Sequence, residues 1–137
     1  MKNIIKLLGI VVTIGFLAFS CLTYEPINTS LEGVWNRGDI VITITGNMAV
    51  FSQISPNTNW DRVQNNGQIK IGDVKFRNIT QTGRLTWTCQ DLTFNHDVWT
   101  IRGWENATIT MNSNGQTIQI STGGGITNPN TAYTRVR

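Results

Sequence analysis

The chain is poor in the residues that most often carry chemistry. Its 137 residues include two cysteines, Cys21 and Cys89, and one histidine, His96. Two cysteines allow a single intramolecular bridge, so no disulfide framework is available. A metal site needs three or four suitable ligands, and none stand at a telling spacing around His96-Asp97. A Ser/His/Asp triad is assembled by the fold, and one histidine among scattered Ser and Asp gives it no support. His96 is therefore read as a surface histidine in a turn. The carboxylates Asp61, Asp73, Asp91, Asp97 and Glu105 are dispersed, without the pairing that glycoside hydrolysis requires. No catalytic residue, metal or cofactor is assigned, and the chain is read as a non-enzyme. It also lacks charge runs, low-complexity tracts, internal repeats and any helical period of 3.6, which argues against a bundle or a solenoid. Gly123-Gly124-Gly125 is followed by neither a helical pattern nor a Lys-Ser/Thr pair. It reads as a hairpin loop rather than a phosphate loop.

What the chain does have begins at its start. Lys2 and Lys6 are followed by an apolar run from Leu7 to Phe19, then by the small Ser20. Residues 1–20 read as a secretory signal peptide. The run is shorter than the roughly 20 residues of a spanning helix, so a retained anchor is the weakest reading. A cysteine directly after the small residue resembles the bacterial lipoprotein signal. The resemblance implies cleavage before Cys21, lipid attachment to its thiol, and a place on the outer membrane or the outer leaflet of the plasma membrane. Ala18-Phe19-Ser20 also fits an ordinary small-x-small cleavage site, which would make the protein simply secreted. With Cys21 acylated, Cys89 stands alone and behaves as a small hydrophobe; with Cys21 free, Cys21–Cys89 is the only available bridge. Losing Lys2 and Lys6 leaves nine basic side chains against eight acidic ones. No Lys/Arg cluster remains, so nucleic acid is excluded as a partner.

Residues 21–30 form a short polar tether containing Pro26, and residues 31–137 are expected to form one β domain. Ile40, Ile42 and Ile44 alternate with Val41, Thr43 and Thr45, a β-branched strand pattern. Gly46-Asn47 is a tight turn into Met48 to Ile54. Ser55 to Gln68 reads as the longest loop. Ile69 to Ile71 and Val74 to Ile79 read as a strand or strand pair around Gly72-Asp73, and Gln81-Thr82-Gly83 as a turn. Leu85, Trp87 and Cys89 share one face of the next strand. Val98 to Trp104, Ala107 to Met111, Thr117 to Ser121 and Ala132 to Arg137 complete about eight short antiparallel strands. Consecutive hairpins favour an all-β, up-and-down barrel, because closure removes exposed edges.

The two ends of this domain carry a resemblance. Leu31-Glu32-Gly33-Val34-Trp35 opens the first strand and Tyr133-Thr134-Arg135-Val136-Arg137 closes the last. Gly-x-Trp with a late Arg resembles the calycins, which include the lipocalins, and more specifically the short lipocalin-like domains of bacterial lipoproteins. The resemblance implies a barrel whose closed end is plugged by Trp35, with Arg135 lying over it and Gly33 allowing close passage. A guanidinium over an indole gains about 0.5–2 kcal/mol. The chain is shorter than typical lipocalins, so the resemblance implies a fold but not a ligand.

Tryptophan is the best functional lead. Trp35 belongs to the plug and Trp99 shares the Ile101 face of the core. Trp60, in the long loop, Trp87, on the Leu85/Cys89 face, and Trp104, on the face of Arg102, are candidate contacts for a ligand or partner, each weighed against plain core packing. Two functions remain open. One is an envelope lipoprotein, membrane-tethered through Cys21, that binds a small apolar or amphipathic ligand in its barrel. The other is a filled barrel that binds a protein through Ser55 to Gln68 and Gly123 to Pro129, as inhibitor, adhesin or assembly factor.

Overall fold

The computed structural model describes residues 29–122 and 132–136. The signal peptide, Cys21, the tether up to Asn28 and the Gly123 to Pro129 loop lie outside the described residues. The strands are β1 (Gly33–Asn36), β2 (Ile40–Thr45), β3 (Met48–Ile54), β4 (Val74–Gly83), β5 (Thr86–Asn95), β6 (Thr100–Met111), β7 (Thr117–Thr122) and β8 (Ala132–Arg135), with one helix, α1 (Asn59–Asn65), between β3 and β4. Every strand pairs antiparallel with the next, and β8 pairs with β1 through Trp35–Arg135 and Asn36–Thr134. The result is an eight-stranded, up-and-down closed barrel.

Alternation builds the interior. Ile40, Ile42 and Ile44 of β2 are buried while Val41 and Thr43 are only half-buried. Ile109 and Met111 of β6, with Ile118 and Ile120 of β7, continue the same inner wall. Gly46 opens the two-residue β2–β3 turn with φ 58°, a region that L side chains avoid. Register shifts at Val41/Ile42, Ala49/Val50, Arg77/Thr80 and Thr93/Phe94 bend the strands toward closure.

Several elements differ from the sequence reading. Gln81-Thr82-Gly83 lies within β4, and β6 is one continuous strand rather than two. Ile69 to Ile71 is not a strand. The presumed loop Ser55 to Gln68 contains α1, capped by the Thr58 hydroxyl, which accepts from the Asp61 amide at 3.3 Å. Thr58-x-x-Asp61 is a capping signal, and the helix is too short to show a period.

The barrel has two unlike ends. One carries the start of β1, the Gly46-Asn47 turn and the β6–β7 turn. There Arg135 lies over Trp35, with 4.2 Å between guanidinium carbon and ring centroid. Its Nε donates to the Gly115 carbonyl at 3.0 Å, its Nη1 to the Glu32 carbonyl at 2.8 Å and its Nη2 to the Ser30 carbonyl. Trp35, fully buried, donates its indole N–H to the Leu31 carbonyl at 2.9 Å. A Cβ on Gly33 would sit 2.8 Å from Arg135 Nη1. The opposite end carries the β1–β2 connection, α1 and the β5–β6 turn.

Candidate functional site

Beneath α1 a cup of about 400 Å³ opens into the upper barrel. The elements around it each contribute one or two polar or aromatic groups. Arg37 and Asp39 come from the β1–β2 connection, Lys75 from β4, Asp91 and Phe94 from β5, Trp60 from α1 and Tyr133 from β8.

Lys75 reaches the interior because of a bulge. Ala49 faces Phe76 while Val50 faces Val74, so Lys75 is the extra residue on β4. Simple alternation would put either Lys75 or Phe76 outside; here both are buried. Asp91 needs no such device, since it continues the inward series of Trp87 and Cys89 along β5. The Lys75 ammonium bonds the Asp91 carboxylate and donates to the Leu92 carbonyl at 2.7 Å. It also lies 4.8 Å from the Trp60 ring centroid. Arg37 forms a two-pronged pair with Asp39, Nε to Oδ1 at 2.7 Å and Nη2 to Oδ2 at 2.6 Å. Its guanidinium carbon stands 5.3 Å from the Tyr133 ring centroid.

Burial sets the electrostatics. It pushes Lys75 below its ordinary value and Asp91 above, each opposed by the charge of the other. Burial also works against the Arg37 charge, but the Tyr133 phenol and Asp39 outweigh it and hold Arg37 above its ordinary value. The Tyr133 phenol is raised by burial, and the Cys89 thiol is pushed up to about 12 for the same reason. Cys89 is a free, buried thiol. The Tyr133 side chain is fully buried, yet its hydroxyl has no hydrogen-bond partner among the described residues. A buried hydroxyl left unmatched costs about 1–3 kcal/mol, so the lining of the cup includes a donor and acceptor unused among the described residues.

Aromatic rings form the wall. Trp60 packs edge-on to Phe94 at 4.6 Å between centroids and against Phe51 at 5.1 Å. His96, exposed at the rim, packs at a tilt against Phe94, 4.5 Å between centroids.

The tryptophan candidates are dispersed. Trp60 is 3% exposed, held on α1 with Val63, and is not the projecting loop residue that the sequence suggested. It meets the cup from above. Trp87 is buried in the core below. Trp104 lies on the outer face under Arg77, 4.1 Å from its ring centroid. Trp99 is not in a strand: it sits in the β5–β6 turn with φ 54°, half-buried beneath Arg62. The dispersed carboxylates have local tasks. Asp61 accepts from the Asn57 amide, Asp73 from the Lys70 amide, and Glu105 pairs loosely with Arg102 at 3.5 Å. Among the described residues, no three His, Cys, Asp or Glu side chains are grouped to hold a metal.

A wider concavity of about 680 Å³ is lined mainly by outward side chains of β4 to β7, such as Asn78, Gln90, Asn106 and Thr108. It has no charged lining. Arg37, Lys75, Asp91 and Tyr133, all shifted from their ordinary values, line the inner cup, whereas the shifted Cys89 thiol lines the wider concavity and Arg135 lies at the opposite end of the barrel.

Sequence reasoning missed Arg37, Asp39 and Lys75 as site residues, and treated Asp91 only as one of the scattered carboxylates. Asp91 was within reach, two residues beyond Cys89 on the inward face. Lys75 was not, because only the register with β3 reveals the bulge. Comparison with protein-family models, with curated proteins and with solved structures finds no match.

Proposed function

We propose that this protein is a lipid-anchored envelope protein whose lipocalin-like barrel binds one small amphipathic molecule in the cup beneath α1. A cup of about 400 Å³ whose lining includes Tyr133, with its hydroxyl buried and without a partner among the described residues, carries this reading. That volume lies at the small end of ordinary ligand pockets. The charged floor favours a polar head, and Trp60 and Phe94 favour an apolar or aromatic body. A wholly apolar ligand would leave Lys75, Asp91 and Tyr133 facing hydrocarbon at a desolvation cost. The Cys21 signal supports the anchor, and the Gly33–Trp35–Arg135 cluster supports the lipocalin-like reading.

Binding without turnover fits the groups present. Both carboxylates are engaged by cations, Asp39 by Arg37 and Asp91 by Lys75. The Cys89 thiol and Tyr133 phenol are pushed by burial away from their ionised, nucleophilic forms. The alternative, a filled barrel that recruits a protein through its loops, has less support, because the buried Trp60 offers little surface to a partner.

Native mass spectrometry of the full chain purified from its own membranes tests the reading. The expected result is a reproducible added mass that is lost on denaturation. A bare mass that small amphipathic compounds do not shift would overturn it. Cys21→Ser should release the protein from the membrane fraction, and unchanged membrane association would count against the lipid anchor.

A further inference from the structure

The four charges of the cup sum to zero: Arg37 and Lys75 against Asp39 and Asp91. A ligand with a net charge, enclosed beside them, would add a charge with no counter-ion, and burying an unpaired charge is heavily penalised. A ligand carrying both signs would add none. The spare valences are also of both kinds. Arg37 binds Asp39 through Nε and Nη2, leaving Nη1 as a donor. Lys75 takes one oxygen of Asp91, leaving Oδ2 as an acceptor. The Tyr133 hydroxyl, unpartnered among the described residues, stands with them.

We infer that the cup selects a zwitterion, a small molecule whose carboxylate meets Arg37 and Tyr133, whose ammonium meets Asp91, and whose apolar or aromatic body lies along Trp60 and Phe94. This rests on reading the cup as a ligand site and specifies the ligand class. A free α-amino acid with a large apolar side chain has this chemistry. The carboxylate gains a charge-assisted bond from the guanidinium, and the two existing ion pairs remain intact.

The test is calorimetric titration of the full chain in detergent with three probes: L-phenylalanine, 3-phenylpropionate, which lacks the ammonium, and phenethylamine, which lacks the carboxylate. L-Phenylalanine should bind at least ten times more tightly than either. Tyr133→Phe should weaken it about tenfold. Arg37→Gln, which leaves Asp39 unpaired and the cup with one net negative charge, should weaken L-phenylalanine and strengthen phenethylamine. If a singly charged probe binds as tightly as L-phenylalanine, the zwitterion inference falls while the cup stands as a site. If none binds but the purified protein carries a resident mass of another class, the inference falls in the same way. If none binds and no resident mass exists, both fall.

Discussion

Replacing Tyr133 with phenylalanine should make the ligand-free protein more stable, an unusual result for a fully buried position. The ring keeps its contacts: Phe76 lies edge-on at 6.2 Å between centroids and the Arg37 guanidinium stands over it at 5.3 Å. Only the hydroxyl is lost, and it has no partner among the described residues. Removing an unmatched buried hydroxyl relieves a penalty of about 1–3 kcal/mol. Against this, the vacated oxygen leaves a small void. A net gain of about 1 kcal/mol is expected, a rise in Tm of about 4–8 °C for a domain of this size. The assay is urea and thermal unfolding of ligand-free protein, followed by tryptophan fluorescence and far-UV circular dichroism. A loss of about 1 kcal/mol or more would refute the reasoning. It would mean that the hydroxyl is satisfied in the empty cup and is not held for a ligand. A gain in stability joined to a loss of ligand affinity is the signature of a group kept for binding.

Gly33→Ala should destabilise the barrel by about 1–3 kcal/mol, because φ at Gly33 is +135° and the new Cβ would press on Arg135; the cost should shrink in an Arg135→Ala background, read by urea unfolding. Lys75→Met should cost about 3–5 kcal/mol by stranding Asp91, while Lys75→Met with Asp91→Leu should recover most of it. If the double variant is no better than the single one in chemical denaturation, the pair is not the reason Lys75 is buried. Cys89 gives a pH prediction: its thiol is pushed from 9.0 to about 12 in the fold, so in that interval the unfolded chain releases a proton that the folded chain keeps. Stability should therefore fall as pH rises through this window, by at most about 1.4 kcal/mol per unit from this group. Cys89→Ala should flatten the decline in pH-dependent unfolding, and an unchanged slope would exclude the thiol as its source.

Much of the architecture was legible because it depends on local chemistry. The β-branched alternation of Ile40 to Thr45, the Gly46-Asn47 turn and the repeated hairpins point to an up-and-down barrel without knowledge of any contact. Strand ends were less legible. β6 continues through Glu105-Asn106 because pairing with β5 along its whole length holds it extended, and a single strand read alone cannot show its partner. α1 was missed because seven residues give no period, although Thr58-x-x-Asp61 announced its start. Trp60 was misjudged for the same reason: in a loop it would project, but on a helix it turns under with Val63 and closes the cup.

The sequence by itself determined the class of fold, the inward face of β2 and β5, and the two ends of the domain that meet at Trp35 and Arg135. These follow from residue type and a period of two, which act over a few neighbours. Only the tertiary structure decided that Arg37, Asp39, Lys75, Asp91 and Tyr133 share one cup. They come from four separate stretches of chain, and Lys75 faces inward only because a bulge against β3 displaces the alternation. Barrel closure sets that register, and with it the charge balance and the unmatched hydroxyl on which binding would depend.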